Sequence, residues 1–166
     1  NALELGLVGS EMCIRDRHYP GGLSDYLNDA TADTALLVST PFADLVELDG
    51  QKFEWAITWL GASEDGFFHS YCNTVPTPSG GTHEAGFRQA INRALRSFGD
   101  LAGNRKAAEI TAEDVFAGTA VMLSVFLRDP QFQGQTKDRL VSADATRQTE
   151  QAARDRFEQW LSLIHI

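Results

Sequence analysis

Residues 44–60 read DLVELDGQKFEWAITWL. Asp49-Gly50 sits between two largely apolar runs and readily takes the paired positive φ angles of a type I′ turn. After it, Phe53, Trp55, Ile57 and Trp59 alternate with Glu54, Ala56, Thr58 and Leu60. A side-chain period of two predicts a β-hairpin with one face toward a core. The alternate face is only partly polar, so the second strand is expected to be covered on both sides at one end.

Outward from the hairpin the pattern changes. Upstream, YPGG breaks the chain before a short helix predicted over 23–28, with Leu23, Tyr26 and Leu27 on one face. Residues 31–42 read as a loop with a brief extended piece. Downstream, FFHSYCNTV (67–75) is predicted to be a third antiparallel strand. A helix follows over 82–98, where Phe87, Ile91, Ala94, Leu95 and Phe98 share a stripe with Ala90. Thr82 is placed to cap its start and Gly99 to stop it. Thr111 begins a capped turn, with Glu113 and Asp114 in favourable first-turn positions. Gly118 ends that turn, and 119–127 is apolar at nearly every position, as in a strand buried on both faces. A charged amphipathic helix starts near Asp144. The order helix, three strands, helix, strand, loop, helix predicts an α/β two-layer sandwich. Its sheet is expected to be mixed and mostly antiparallel, with helices on one face.

The chain has 166 residues, 43% of them hydrophobic and 22% charged, with a formal charge of -9. That balance argues against a free-standing nucleic-acid binder, though not against a basic patch on one face. Cys13 and Cys72 give neither a disulfide framework nor a zinc spacing, which fits a reducing, cytoplasmic setting. No apolar run approaches the roughly 18 residues of a membrane-spanning helix. The two ends stand apart. EMCIRDR (11–17) and LSLIHI (161–166) can be encoded by one DNA word read on its two strands, and that word resembles a sequencing-library adapter. Segments 1–17 and 161–166 are therefore expected to be foreign, leaving 18–160 as one domain of a longer gene product.

Few residues suggest chemistry. His83-Glu84 lacks the second histidine of a zinc-protease motif, since position 87 is Phe. SGGTHEAG (79–86) offers either an anion-binding helix start or a tight turn, and Glu84 there would repel a phosphate. Ser70, Tyr71 and Cys72 read as packed strand rather than nucleophiles. Arg88, Arg93 and Arg96, with Arg105 and Lys106 beyond, are the one basic concentration; they make a solvated face or a contact to a DNA backbone. In DPQFQGQTKDRL (129–140), Gly134 permits a sharp turn while Gln135, Thr136 and Lys137 present donors. The loop is either an ordinary surface turn or a holder of a terminal phosphate, for which a compact lysine charge is well suited.

GGTHEAGFRQAINRAL, ITAEDVFAGTAVMLSVFLRDPQFQGQTKDRL and YPGGLSDYL together resemble the transducer domain of bacterial type IIA topoisomerase B subunits. SYCNTVPTPSGGTHEAG and FQGQTKDRL lean toward the topoisomerase IV rather than the gyrase branch. The resemblance implies an α/β sandwich with a left-handed βαβ crossover, shared with a small-subunit ribosomal protein. It implies that Gln135 and Lys137 bind the ATP γ-phosphate held by a neighbouring ATPase domain, with Gly134 and Thr136 shaping the loop. It implies Arg88, Arg93 and Arg96 as contacts to a transported DNA duplex. ATP and Mg²⁺ are then cofactors of the intact protein. Its partners are double-stranded DNA, the topoisomerase A subunit and a second B subunit on ATP binding, with no membrane. The chain itself carries no catalytic or metal residue of that family and is expected to be inactive alone. Two alternatives are a gyrase-type supercoiling subunit and a stand-alone interaction module.

Overall fold

The structure, a computed structural model, describes residues 22–164 apart from Ser39, Ser63 and Thr136. Strands β1 (Phe42–Leu48) and β2 (Gln51–Trp59) pair antiparallel from Phe42↔Ile57 to Leu48↔Gln51. Asp49 and Gly50 make the turn at φ 54° and 75°, as the sequence predicts. The Arg128 guanidinium donates to the Asp49 carbonyl and holds the turn from outside.

Three further strands complete the sheet: β3 (Phe67–Cys72), β4 (Val75–Pro76) and β5 (Thr119–Phe126). Their order is β1-β2-β5-β3-β4. Every residue of β5 but the last is buried. A strand apolar at both parities must be covered on both faces, and the sheet centre provides that. It runs antiparallel to β2 and parallel to β3.

The expected third antiparallel strand is corrected in two ways. Asn73 and Thr74, at φ 51° and 70°, fold 67–75 into β3, a two-residue turn and β4. And the long neighbour of β3 is β5 rather than β2, so its main pairing is parallel. Asn73 was the local signal for the break, being a residue type enriched at positive φ. The partner exchange has no local signal.

The helices are α1 (Leu23–Ala30), α2 (Thr82–Leu101), α3 (Ala112–Phe116) and α4 (Ala145–Ile164), with a 3₁₀ turn at Arg105–Glu109. Helices α2 and α4 lie over the face bearing Trp55, Ile57, Val121, Leu123 and Val125, adding Phe87, Ile91 and Phe157 to the main core. The long helices thus share one face. The expectation of helices on one face is corrected for α1, which covers the reverse, with Leu23 and Leu27 against Ala56, Leu60, Ala120 and Met122. That is the two-sided cover expected of β2. Of the two ends set apart on sequence, 1–17 lies outside the described residues, while 161–164 continue α4 with Leu161 buried.

Both expected termini of α2 shift. Gly81 is the N-cap and makes no side-chain cap; Thr82 is already helical, with its Oγ1 buried and without a partner. Gly99 lies inside the helix, where any Cβ would strike the Ala107 side chain, and the turn comes at Gly103 with φ 75°. The Thr111 cap is as expected: Asp114 N–H donates to Thr111 Oγ1 at 3.2 Å, and Thr111 N–H to Asp114 Oδ2 at 3.0 Å. The Thr111 N–H and the Thr111 hydroxyl, the latter at 2.8 Å, both donate to Asp114 Oδ2 and hold that carboxyl below its ordinary value.

Candidate functional site

The 129–140 loop is a small hairpin on a firm root. Where β5 ends, the Asn73 side chain clamps Leu127: Nδ2 donates to its carbonyl at 3.1 Å, and its N–H donates to Oδ1 at 2.8 Å. Asp129, at φ 49°, then turns the chain. Residues 131–133 run back against 139–141. Val141 N–H donates to Gln131 O at 2.7 Å and Gln133 N–H to Arg139 O at 2.9 Å.

Leu140 is the anchor. Its side chain is fully buried in the main core. Its backbone pairs antiparallel with Phe132 on one side and parallel with Gly81 on the other. Leu140 N–H donates to Gly80 O at 3.2 Å, Thr82 N–H to Leu140 O at 3.0 Å, and Ser79 N–H to Asp138 O at 3.0 Å. Gly81 is required for this approach: at φ 146°, a Cβ there would sit 2.7 Å from Leu140 N. The Gly80-Gly81 segment is accordingly a tight turn. The Thr82 amide an anion would use is taken, and the Glu84 carboxylate lies against Gly80.

The tip is solvent-facing. Gly134, Gln135 and Lys137 are all exposed, and Thr136 lies outside the described residues. Gly134 and Lys137 take φ 72° and 58°. The Lys137 ammonium stands 6.0 Å from the Phe132 ring centroid and pairs with no carboxylate among the described residues. Left-handed backbone at a lysine costs about 1 kcal/mol or more. A buried root thus carries an exposed lysine with left-handed backbone and no carboxylate partner among the described residues.

The three helix arginines do not converge. Arg88 pairs with Glu84 at 3.1 Å and lies over the Phe68 and Phe116 rings at 4.7 and 4.8 Å. Arg96 donates twice to the Ile110 carbonyl, at 2.9 and 2.6 Å. Arg93 turns the other way, to Glu150 on α4. There it borders a groove of about 380 Å³ together with Arg147 and Arg154, which sequence reasoning missed. Their seven-residue spacing on α4 was the available signal. Arg105 and Lys106 are exposed on the 3₁₀ turn.

Ser70, Thr77 and His83 form a sealed polar chain. Ser70 Oγ lies 2.8 Å from Thr77 Oγ1, which lies 3.1 Å from His83 Nε2. With exposures of 5%, 1% and 0%, no substrate reaches it. Burial pushes the His83 imidazole down to about 4 and the Cys72 thiol up to about 12, so neither is charged at neutral pH.

A family model described as DNA gyrase B matches residues 22–164. The B subunit of DNA topoisomerase 4 from Caulobacter vibrioides is 46% identical over 150 residues, covering 87% of this chain and 22% of that protein. Its counterpart from Bartonella bacilliformis is 47% identical over 147 residues, covering 87% and 21%. The chain spans about a fifth of the length of these relatives. Among solved structures, the topoisomerase IV ATP-binding domain of Francisella tularensis, in complex with a small-molecule inhibitor, gives a TM-score of 0.75 at 30% identity over 89% of this chain and 39% of that one. The 43K ATPase domain of Thermus thermophilus gyrase B, in complex with an aminocoumarin, gives 0.74 at 27% identity over 86% and 38%. Five-stranded mixed sheet, crossover helix and family match agree: the chain belongs to the DNA gyrase B family, among the B subunits of type II DNA topoisomerases.

Proposed function

We propose that this chain is the transducing segment of an ATP-driven B subunit of the topoisomerase IV type, and that the 134–137 tip senses the terminal phosphate of ATP. The observation that carries the reading is the exposed Lys137 ammonium, unpaired with any described carboxylate, on a hairpin whose base is locked into the core. Ammonium and amide are donors, and a terminal phosphate offers acceptor oxygens, so Lys137 and Gln135 fit that group. ATP and Mg²⁺ of the intact protein would be held mainly by a neighbouring ATPase domain, with this tip reaching the terminal phosphate. Bound nucleotide supplies the negative charge, and these side chains hold it.

A charge-assisted hydrogen bond contributes roughly 1.5–3 kcal/mol. Made only while the phosphate is present, it biases a two-state domain orientation by about 10- to 150-fold. The setting is a cytoplasmic dimer of B subunits acting with the A subunit on double-stranded DNA, and the chain by itself should neither hydrolyse ATP nor cut DNA. For the DNA role, Arg96 has the strongest case of the three arginines. Its partner is a neutral carbonyl, so its charge is uncompensated, whereas Glu84 neutralises Arg88 and Glu150 neutralises Arg93.

The test is Lys137→Ala in a full-length protein carrying this chain. ATP-dependent strand passage should fall at least about tenfold, with an unchanged circular dichroism spectrum and melting temperature. Near-normal turnover in a folded variant defeats the proposal.

A further inference from the structure

The tip hairpin and helix α2 share a terminus. A helix start leaves amides without intrahelical acceptors. Here the Thr82 amide is taken by Leu140 O, and no side chain caps that end. The strand returning from the tip is therefore itself part of the cap of α2. One residue on, the fully buried His83 reaches Thr77, and Thr77 reaches Ser70 on β3. Ser70 Oγ also lies 3.1 Å from Thr77 O, placed to donate to it, and Thr77 N–H donates to Ser70 O at 2.9 Å. The link from β4 to α2 is thus gripped on one side by Leu140 and on the other by this polar chain.

We propose that His83 is a positioning residue for the tip: by pinning the first turn of α2 to β3, it fixes the seat of Leu140 and hence the presentation of Gln135 and Lys137. The inference rests on the phosphate-sensing reading for its purpose, but its mechanics need no nucleotide. Hydrogen-bond arithmetic gives the role of the ring. With the Ser70 hydroxyl donating to Thr77 O and the Thr77 hydroxyl to Ser70 Oγ, Thr77 Oγ1 is left to accept from His83 Nε2–H. Nδ1 then remains a buried bare acceptor. That costs less than an unpaired buried N–H. Glutamine can supply such a donor, and phenylalanine cannot.

The experiment is NMR-detected amide exchange on the 166-residue chain. In His83→Phe, the Thr82 and Leu140 amides should exchange at least about tenfold faster while β1–β2 amides keep their rates. His83→Gln should restore them. Thr77→Val, which keeps side-chain shape and breaks the same chain at its middle link, should give the same local pattern. Unchanged Thr82 and Leu140 rates in both Phe and Val variants overturn the proposal, as does acceleration spread evenly over the sheet. If Lys137→Ala leaves turnover normal while this exchange pattern holds, the sensing reading fails and the positioning stands. The reverse result removes the positioning alone.

Discussion

His83 is buried as a neutral ring, and protonating it would put an unpaired charged N–H into the core. Its folded pKa is about 4, against 6.5 for the free side chain, with burial as the cause. The unfolded chain therefore binds more protons between those values, so the His83 contribution is complete above pH 6.5 and is lost as pH falls toward 4. Between pH 7 and 4.5 the loss is roughly 2–3 kcal/mol. Burial also holds the His69 imidazole below its ordinary 6.5, so its contribution is lost over the same range and the wild type alone cannot isolate the effect. Comparing urea midpoints with those of His83→Gln does. Wild type should lose roughly 2–3 kcal/mol more than the variant over that range; parallel pH slopes would show that the ring never resists protonation. This residue was visible in the sequence only as a failed zinc motif. A histidine at a helix start carries no local mark of burial, because Thr77 and Ser70 are brought to it by the turn after β3.

At the scale of elements, α2 and α4 pack closely because Gly86 has no side chain. A Cβ there would sit 3.0 Å from Thr146 Cα, with the Thr146 carbonyl nearer still. Alanine would gain about 1 kcal/mol of helix propensity. Overpacking against backbone costs about 1–3 kcal/mol, and rotating a side chain cannot relieve it. The clash should win, so Gly86→Ala is expected to destabilise by about 1–2 kcal/mol in denaturant melts. A stabilised variant would mean the helices can part freely. The same scale separates what the sequence makes legible from what it does not. The β1–β2 hairpin was readable because turn and period lie within adjacent residues. The buried character of β5 was readable from its unbroken apolar run. The β3 pairing was not, because β5 enters between β2 and β3 only after α2 has crossed. The ends of α2 were misplaced because their partners, Leu140 and Ala107, come from later in the chain.

For the molecule as a whole, charge and topology bear on the DNA question together. The chain carries -9, and its arginines are dispersed: Arg88 toward α3, Arg93 toward α4, Arg96 at the Ile110 carbonyl. Their sequence clustering suggested one patch, but helical geometry and carboxylates from other elements divide it. Nonspecific DNA affinity comes from counterions released by cations gathered on one surface, and typically gives dissociation constants of about 10⁻⁴–10⁻⁶ M. A net-acidic chain with divided arginines belongs at or beyond the weak end. The isolated chain should therefore bind a duplex no tighter than about 10⁻⁴ M at physiological salt, measured by fluorescence anisotropy. At low salt, where binding becomes measurable, Arg96→Gln should flatten the log–log salt dependence by about one unit, the share of a single phosphate. Submicromolar binding with a steep salt slope would instead identify a stand-alone DNA module. It would also mean that the arginines exchange Glu84, Glu150 and Ile110 for phosphates without help from a larger assembly. Weak binding with a slope that responds to Arg96 fits a segment that meets DNA only when a dimer closes around it, where confinement supplies the local concentration that its own charge cannot.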